Sequence, residues 1–260
     1  MDLREAAGTL GVHYQTAYGW VRQGVLPARK VGRSYEIDDS DVGMLAAGRR
    51  LGQEPARPIH LRDWAARSQG LYAVVVAGEE TQARHRLERL AVGVPLIDLC
   101  EHVIAPALRQ LGADWEAGRV SIAQEHRASA ICERLIATHA RQPAGRPRGT
   151  AVVATPPGER HSLPSLMAAA CLREDRWLVH HLAADLPVEE VTRLAGQVGA
   201  DLVVLSSARS ETARQAQQAA QAITAARPRL NVLAGRPGDS LHDLLAGAIN
   251  AQAAGSRHHG

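Results

Sequence analysis

The chain has 260 residues, 45% of them hydrophobic, and a formal net charge of +3. That is enough for one large or two to three small domains, and too apolar for a disordered chain. No apolar run approaches the ~20 residues that span a bilayer, and the opening residues, with Asp2, Arg4 and Glu5, lack an apolar signal core. The expectation is a cytoplasmic globular protein with no membrane role. Cys100, Cys132 and Cys171 are widely spaced in helical patterns, so they read as buried, reduced thiols with neither disulfide nor zinc spacing.

The first unit covers residues 1–48. Asp2 to Leu10 reads as a short helix with Asp2 at its N-cap, Gly11 breaks it, and His13 to Gln23 reads as a second helix. Ala17, Trp20 and Val21 share one face of that helix, while Tyr14, Gln15, Tyr18 and Arg22 share the other. Arg29 to Val31 and Ser34 to Ile37 flank Gly32-Arg33 as a hairpin, and Asp38 to Asp41 start a further helix. This order predicts a winged helix-turn-helix, with its second helix in a major groove and its hairpin along phosphates. From Leu10 to Ser34 the charged residues are Arg22, Arg29, Lys30 and Arg33, with no acid among them. That one-sided charge fits DNA contact by Tyr14, Gln15, Tyr18, Arg22, Lys30 and Arg33. The competing reading is a small protein-binding module.

Residues 49–58 read as a polar, proline-marked linker. From 60 to 141 the pattern is helical, with breaks near Gly78, Gly93-Val94-Pro95 and Gly118. Four helices of about 15–22 residues with short connections predict a four-helix bundle. A second linker spans 142–149. From there to about 252 strands alternate with helices: strands at 150–155, 177–182, 201–206 and 229–234, helices at 163–174, 187–198, 210–226 and 240–251. That alternation predicts a Rossmann-like α/β domain, a parallel sheet with helices on both faces.

Two clusters carry chemistry. Thr155 to Leu163, in the loop after the first strand of this sheet, contains Glu159 and His161. Open sheets bind ligands at this edge, and neutral imidazole is the commonest protein ligand for a transition metal. A solvated loop histidine is the plainer alternative. In the bundle, Trp115 closes the third helix and Ile122, Glu125 and His126 open the fourth. Ile122 lies three and four residues from the other two, so all three share a helix face. With Trp115 opposite, they would form a chamber with an aromatic wall. Alone, Glu125-His126 would be a solvated first turn favoured by the helix dipole.

The first unit resembles the DNA-binding domain of MerR-type and excisionase-type regulators in Leu3-Arg4-Glu5-Ala6-Ala7-Gly8-Thr9-Leu10-Gly11-Val12 and Val31-Gly32-Arg33-Ser34-Tyr35-Glu36-Ile37. The whole chain, with its Trp-x9-Glu-His and the fragment Ala154-Thr155-Pro156-Pro157-Gly158-Glu159-Arg160-His161, resembles the cobalamin-binding regulators of the CarH/LitR type. The resemblance implies a light-responsive, non-enzymatic transcriptional regulator with adenosylcobalamin as chromophore. It assigns His161 the lower ligation of cobalt. Glu159 orients the ring, as outer-sphere carboxylates do. Trp115, Ile122, Glu125 and His126 enclose the 5′-deoxyadenosyl group, while Ser206 and Gly235 line the pocket for the nucleotide tail. It also implies operator DNA as partner and a tetramer in the dark whose change of assembly releases DNA.

The chain departs from the family pattern at four places. Pro164 and Ala234 stand where glycines are usual, Ala208 replaces a leucine, and Glu116 follows Trp115 where some members carry histidine. A strand and helix usual near the end are missing, since only Arg236 to Asp239 separate Gly235 from the last helix. These changes predict a weakened or rearranged tail pocket. They support a rival in which a DNA-binding regulator of this fold has lost its cofactor or exchanged it for another tetrapyrrole or a protein partner. A corrinoid carrier for methyl transfer is a more distant rival.

Overall fold

The computed structural model describes residues 1–22, 26–31, 34–50, 63–140 and 142–256. They form two compact units, Met1–Asp63 and Trp64–Gly260.

In the first unit, helix α1 (Leu3–Leu10) begins with a complete capping box. The Asp2 carboxylate accepts from the amides of Arg4 (2.7 Å) and Glu5 (2.9 Å), and the Glu5 carboxylate accepts from the Asp2 amide (2.8 Å). Gly11 ends α1 at φ 65°, a left-handed turn that costs a residue with a Cβ far more than glycine. Helix α2 spans Tyr14–Arg22, and strands β1 (Arg29–Val31) and β2 (Ser34–Glu36) pair antiparallel, with Val31 opposite Ser34. Leu3, Ala6, Leu10, Ala17, Leu26, Ile37 and Val42 form the core of this unit. Helix α3 runs Asp39–Arg50, opened by Asp38, which accepts from the Ser40 amide and hydroxyl. Arg49 and Arg50 are therefore helical and not linker: Gly48 weakens the helix without ending it, and no proline follows before Arg50, so α3 continues. The hairpin tip Gly32-Arg33 and the remainder of the expected linker, 51–58, lie outside the described residues.

The second unit opens with helices α4 (Trp64–Ala77) and α5 (Glu80–Ala91). Next, α6 (Leu96–Leu99) runs through a π-helical turn at Cys100–Ile104 into α7 (Ala105–Glu116), followed by α8 (Ile122–His139). The three expected breaks hold, with Gly78, Gly93 and Gly118 at φ 82°, 69° and 70°. The π turn was not expected. It ends just before Pro106, whose missing N–H and bulky ring disfavour a regular α-turn there. These helices pack around Leu71, Leu87, Leu99, Ile104, Leu111, Ile131 and Ile136, and Met167 and Cys171 of the following helix join the same core. Each such side chain contributes about 1.5–3 kcal/mol of burial. Cys100, Cys132 and Cys171 are free and buried, and burial pushes the Cys132 thiol up to about 12. Such thiols are inert.

Beyond the helices come β3 (Thr150–Ala154), α9 (Ser162–Glu174), β4 (Leu178–His181), α10 (Val188–Gln197), β5 (Leu202–Leu205), α11 (Ser210–Ala226), β6 (Asn231–Ala234) and α12 (Leu241–Ser256). The sheet is parallel throughout, in the order β4-β3-β5-β6. Ala151 and Val153 pack on the face covered by α9 and α12, while Val152 and Ala154 pack with side chains of α10 and α11. The chain leaves β3 for β4 on one side and returns to β5 on the other. The topological switch point, where such sheets bind ligands, therefore lies between the ends of β3 and β5. Among the described residues no helix is long and apolar enough to cross a membrane.

Candidate functional site

The loop after β3 is tied down before it reaches His161. Thr155 is fully buried; its hydroxyl donates to the Glu159 carbonyl (2.8 Å) and accepts from the Asp185 amide (2.8 Å). The Asp185 carboxylate in turn accepts from the amide of Gly158 (2.8 Å). Glu159 itself is 1% exposed. Its Oε1 accepts from the His161 amide (2.9 Å) and faces the ring Nδ1 (2.5 Å); its Oε2 accepts from the Ala208 amide (2.9 Å) and the Thr212 hydroxyl (2.5 Å). One carboxylate thus bridges the loops after β3 and β5, across the switch point. Burial alone would push it up. The hydrogen bonds from Thr212, from the His161 and Ala208 amides and from the His161 ring together hold it below the ordinary carboxylate range.

The consequence falls on His161. With Nδ1 donating to a carboxylate, Nε2 carries the free lone pair, and the side chain is 54% exposed. Among the described residues no group of three or more His, Cys, Asp or Glu could hold a metal ion. A single imidazole whose second nitrogen is held by a carboxylate would suit a metal that brings its other ligands with it, as in a macrocycle.

Pro164, Ala208 and Ala234 each fit their local surroundings. Pro164 is the third residue of α9, where the missing N–H would have no partner within the helix. Ala208 serves Glu159 through its backbone amide, so its side chain is immaterial to that contact. Ala234 packs with the α10 and α11 cluster, away from the face covered by α9 and α12. Ser206 and Gly235 extend the sheet ladder by one rung each, to the carbonyls of Ala154 and Leu205 (both 2.9 Å). A methyl group at Gly235 would lie 3.6 Å from the Leu205 carbonyl oxygen, an ordinary contact, so packing does not demand glycine there. Nearby, buried Ser165 meets His181 Nε2 at 2.9 Å.

At the α7–α8 turn, Trp115 is 45% and Ile122 62% exposed, two large apolar side chains flanking one turn. Ser121 caps α8 through a box with Gln124. Glu125 Oε1 accepts from the Ser129 hydroxyl (2.6 Å), and its Oε2 faces His126 Nδ1 at 2.7 Å. His126 is otherwise exposed. In the first unit Tyr14 and Gln15 are exposed, and Arg4 places its guanidinium 5.9 Å from the Tyr14 ring centroid. Tyr18 is half-buried, stacked on Tyr14 at 6.3 Å and edge-on to Tyr35 at 6.0 Å, joining α2 to the hairpin. Arg22 ends α2 and Lys30 is in β1; Arg33 is outside the described residues. Sequence reasoning missed Thr212, Thr155, Asp185, Ser129 and Arg4. A Thr in the first turn after the β5 loop was the one available signal, since first-turn hydroxyls bond locally.

B12 binding domain families match residues 68–138 and 149–249, and a helix-turn-helix domain family matches 1–49. The HTH-type transcriptional repressor CarH of Myxococcus xanthus is 27% identical over 256 aligned residues, covering 86% of this chain and 84% of the relative. The repressor CarA of the same organism is 34% identical over 43% of this chain and 37% of its own length. A monomethylamine corrinoid protein of Methanosarcina barkeri shares the fold, with TM-score 0.55 and 15% identity over 71% of this chain and 96% of that one. Two B12 binding domains and a helix-turn-helix domain thus follow one another in a chain that is similar along most of its length to CarH-type B12-binding transcriptional regulators.

Proposed function

We propose that this protein is a cytoplasmic, light-responsive transcriptional regulator that takes adenosylcobalamin as chromophore and releases operator DNA when its oligomer changes. The observation that carries the reading is the buried Glu159 clamping Nδ1 of an exposed His161. The proposed division is a winged helix-turn-helix at 1–48, extended by α3 to Arg50, a four-helix cap at 60–141, and a cobalamin-binding domain at 149–252. When bound, adenosylcobalamin would supply a light-sensitive cobalt–carbon bond. The chain's part is to hold cobalt through His161 Nε2, to keep the ring oriented through Glu159, and to line the tail with Ser206 and Gly235. Trp115 and Ile122 cover the upper group and exclude water, while Glu125, steadied by Ser129 and His126, accepts from its ribose or adenine. Loss of that group leaves two large apolar side chains facing solvent, and their reburial drives the cap to repack. A tetramer presents several weak DNA modules at once, so a change of assembly loses avidity without altering any one contact.

The test is the absorption spectrum of protein reconstituted with adenosylcobalamin, in darkness and after green light, beside binding to an operator selected from random duplexes. Retained DNA affinity after a complete spectral change removes the light-switch reading; failure to take up cobalamin at all favours the cofactor-lost rival. Two further results are expected. Trp115→Ala and Glu125→Ala should each weaken adenosylcobalamin about tenfold or more and leave methylcobalamin nearly unchanged in dark isothermal titrations, because a polar group built for one ligand goes unpaired with another. Equal losses for both ligands would mean that Trp115 only packs the helices. Gln15→Ala should alter base preference at one or two operator positions, by about 1–3 kcal/mol each, with the salt dependence intact. An unchanged operator selection would favour a protein-binding role for the first unit.

A further inference from the structure

The turn that carries the proposed chamber is held by a buried carboxylate. Asp114, the residue before Trp115, is 9% exposed. Its Oδ2 accepts from the Tyr72 hydroxyl on α4. Its Oδ1 accepts from Arg119 through both Nε (2.7 Å) and Nη2 (2.5 Å). The backbone carbonyl of the same residue accepts from the amides of Arg119 (2.8 Å) and Val120 (3.2 Å), which closes the turn. Val120 is buried in the helical core, and Ser121 then caps α8. The bonds that tie Arg119 and Val120 back to the last turn of α7 thus end on Asp114, while the Gly118 amide donates to the Trp115 carbonyl (2.9 Å). Successive helical residues are rotated by about 100°, so Asp114 is turned inward while Trp115 stands out at 45% exposure.

The arginine of this pair is 64% exposed, so the ion pair itself adds little to stability. What a fully satisfied polar network adds is fixed geometry. We infer that Asp114, held between Tyr72 and Arg119, is a positioning residue for the ligand chamber. It sets the distance of Trp115 from Ile122 and Glu125, and with it the preference for a bulky upper group over a small one. The inference rests on the chamber reading above.

Asp114→Asn and Tyr72→Phe test it. An amide at 114 keeps one acceptor and turns N–H donors toward Tyr72 or Arg119, whereas Tyr72→Phe removes one arm and adds no donor. In the apoprotein, Asp114→Asn should speed hydrogen exchange at the Arg119 and Val120 amides about tenfold, with exchange in the middle of α4 and α8 unchanged. In dark titrations it should weaken adenosylcobalamin about tenfold and methylcobalamin by about threefold or less, with Tyr72→Phe moving both readouts in the same direction by less. Should Asp114→Asn not fold, Tyr72→Phe alone decides. Wild-type exchange rates in the turn, or equal losses for both ligands, overturn the inference. A wild type with no preference for adenosylcobalamin sinks the chamber reading itself, and a wild type that discriminates beside variants that discriminate equally well sinks the positioning role alone.

Discussion

His161→Ala should fold almost as the wild type does and lose its hold on cobalt. The two effects differ in size, and the structure says why. Removing the imidazole deprives Glu159 of one hydrogen bond among its several, which costs about 1 kcal/mol. For a unit of this size that lowers the melting temperature by about 2–4 °C. Affinity for cobalamin should fall on the order of 100-fold, the upper range for removal of even an outer partner of a metal site. Cobalamin that remains bound should lose the spectral features of imidazole ligation. A bound spectrum identical to that of wild type would remove His161 as the lower ligand, and with it the observation on which the proposed function stands. A collapse of apoprotein stability would instead make His161 a structural residue of the loop.

What was legible beforehand was whatever is written locally. The Asp2 N-cap, the helix breaks at Gly78, Gly93 and Gly118, and the strand–helix alternation after 150 depend on residues a few positions apart. The strands and helices of the sheet domain accordingly end within a few residues of expectation, the last helix excepted, since α12 runs on to Ser256. The missed features are long-range. Oε2 of Glu159 reaches Ala208 and Thr212, 49 and 53 residues onward, and periodicity says nothing about which loops meet over a switch point. Asp114 stood unnoticed beside Trp115 because its partner Tyr72 is 42 residues earlier. The π turn at Cys100–Ile104 follows from a helix having to pass Pro106, a conflict that the apolar pattern conceals. Tyr18, placed on an exposed face by its spacing, is half-buried because the hairpin folds Tyr35 against it.

Glu159→Gln should produce the largest loss of stability among these substitutions. The residue is 1% exposed, and its two oxygens receive two backbone amides, one hydroxyl and one imidazole N–H. Glutamine offers a single acceptor oxygen and replaces the other with an NH2 group. If its oxygen keeps the His161 side, the new N–H donors face the Ala208 amide and the Thr212 hydroxyl; if it turns, they face His161. Either arrangement sets donor against donor in a buried place. Removing one partner of a buried charged network costs about 3–5 kcal/mol, against about 1 kcal/mol for an ordinary neutral hydrogen bond. Thermal unfolding of the apoprotein should fall by roughly 6–20 °C at neutral pH. The functional effect is separate. Without the carboxylate, His161 Nδ1 has no fixed acceptor, so its ring and tautomer are free, and cobalamin affinity should drop about 10–100-fold. Thr212→Val supplies the control, since it removes one donor on the far side of Glu159 and leaves the imidazole contact in place. It should cost stability by about 1–2 kcal/mol with little change in cobalt ligation. A Glu159→Gln protein as stable as wild type would mean that the four contacts do not hold the two loops together. A destabilised one that still ligates cobalt normally would mean that the histidine is oriented by the backbone of α9 alone.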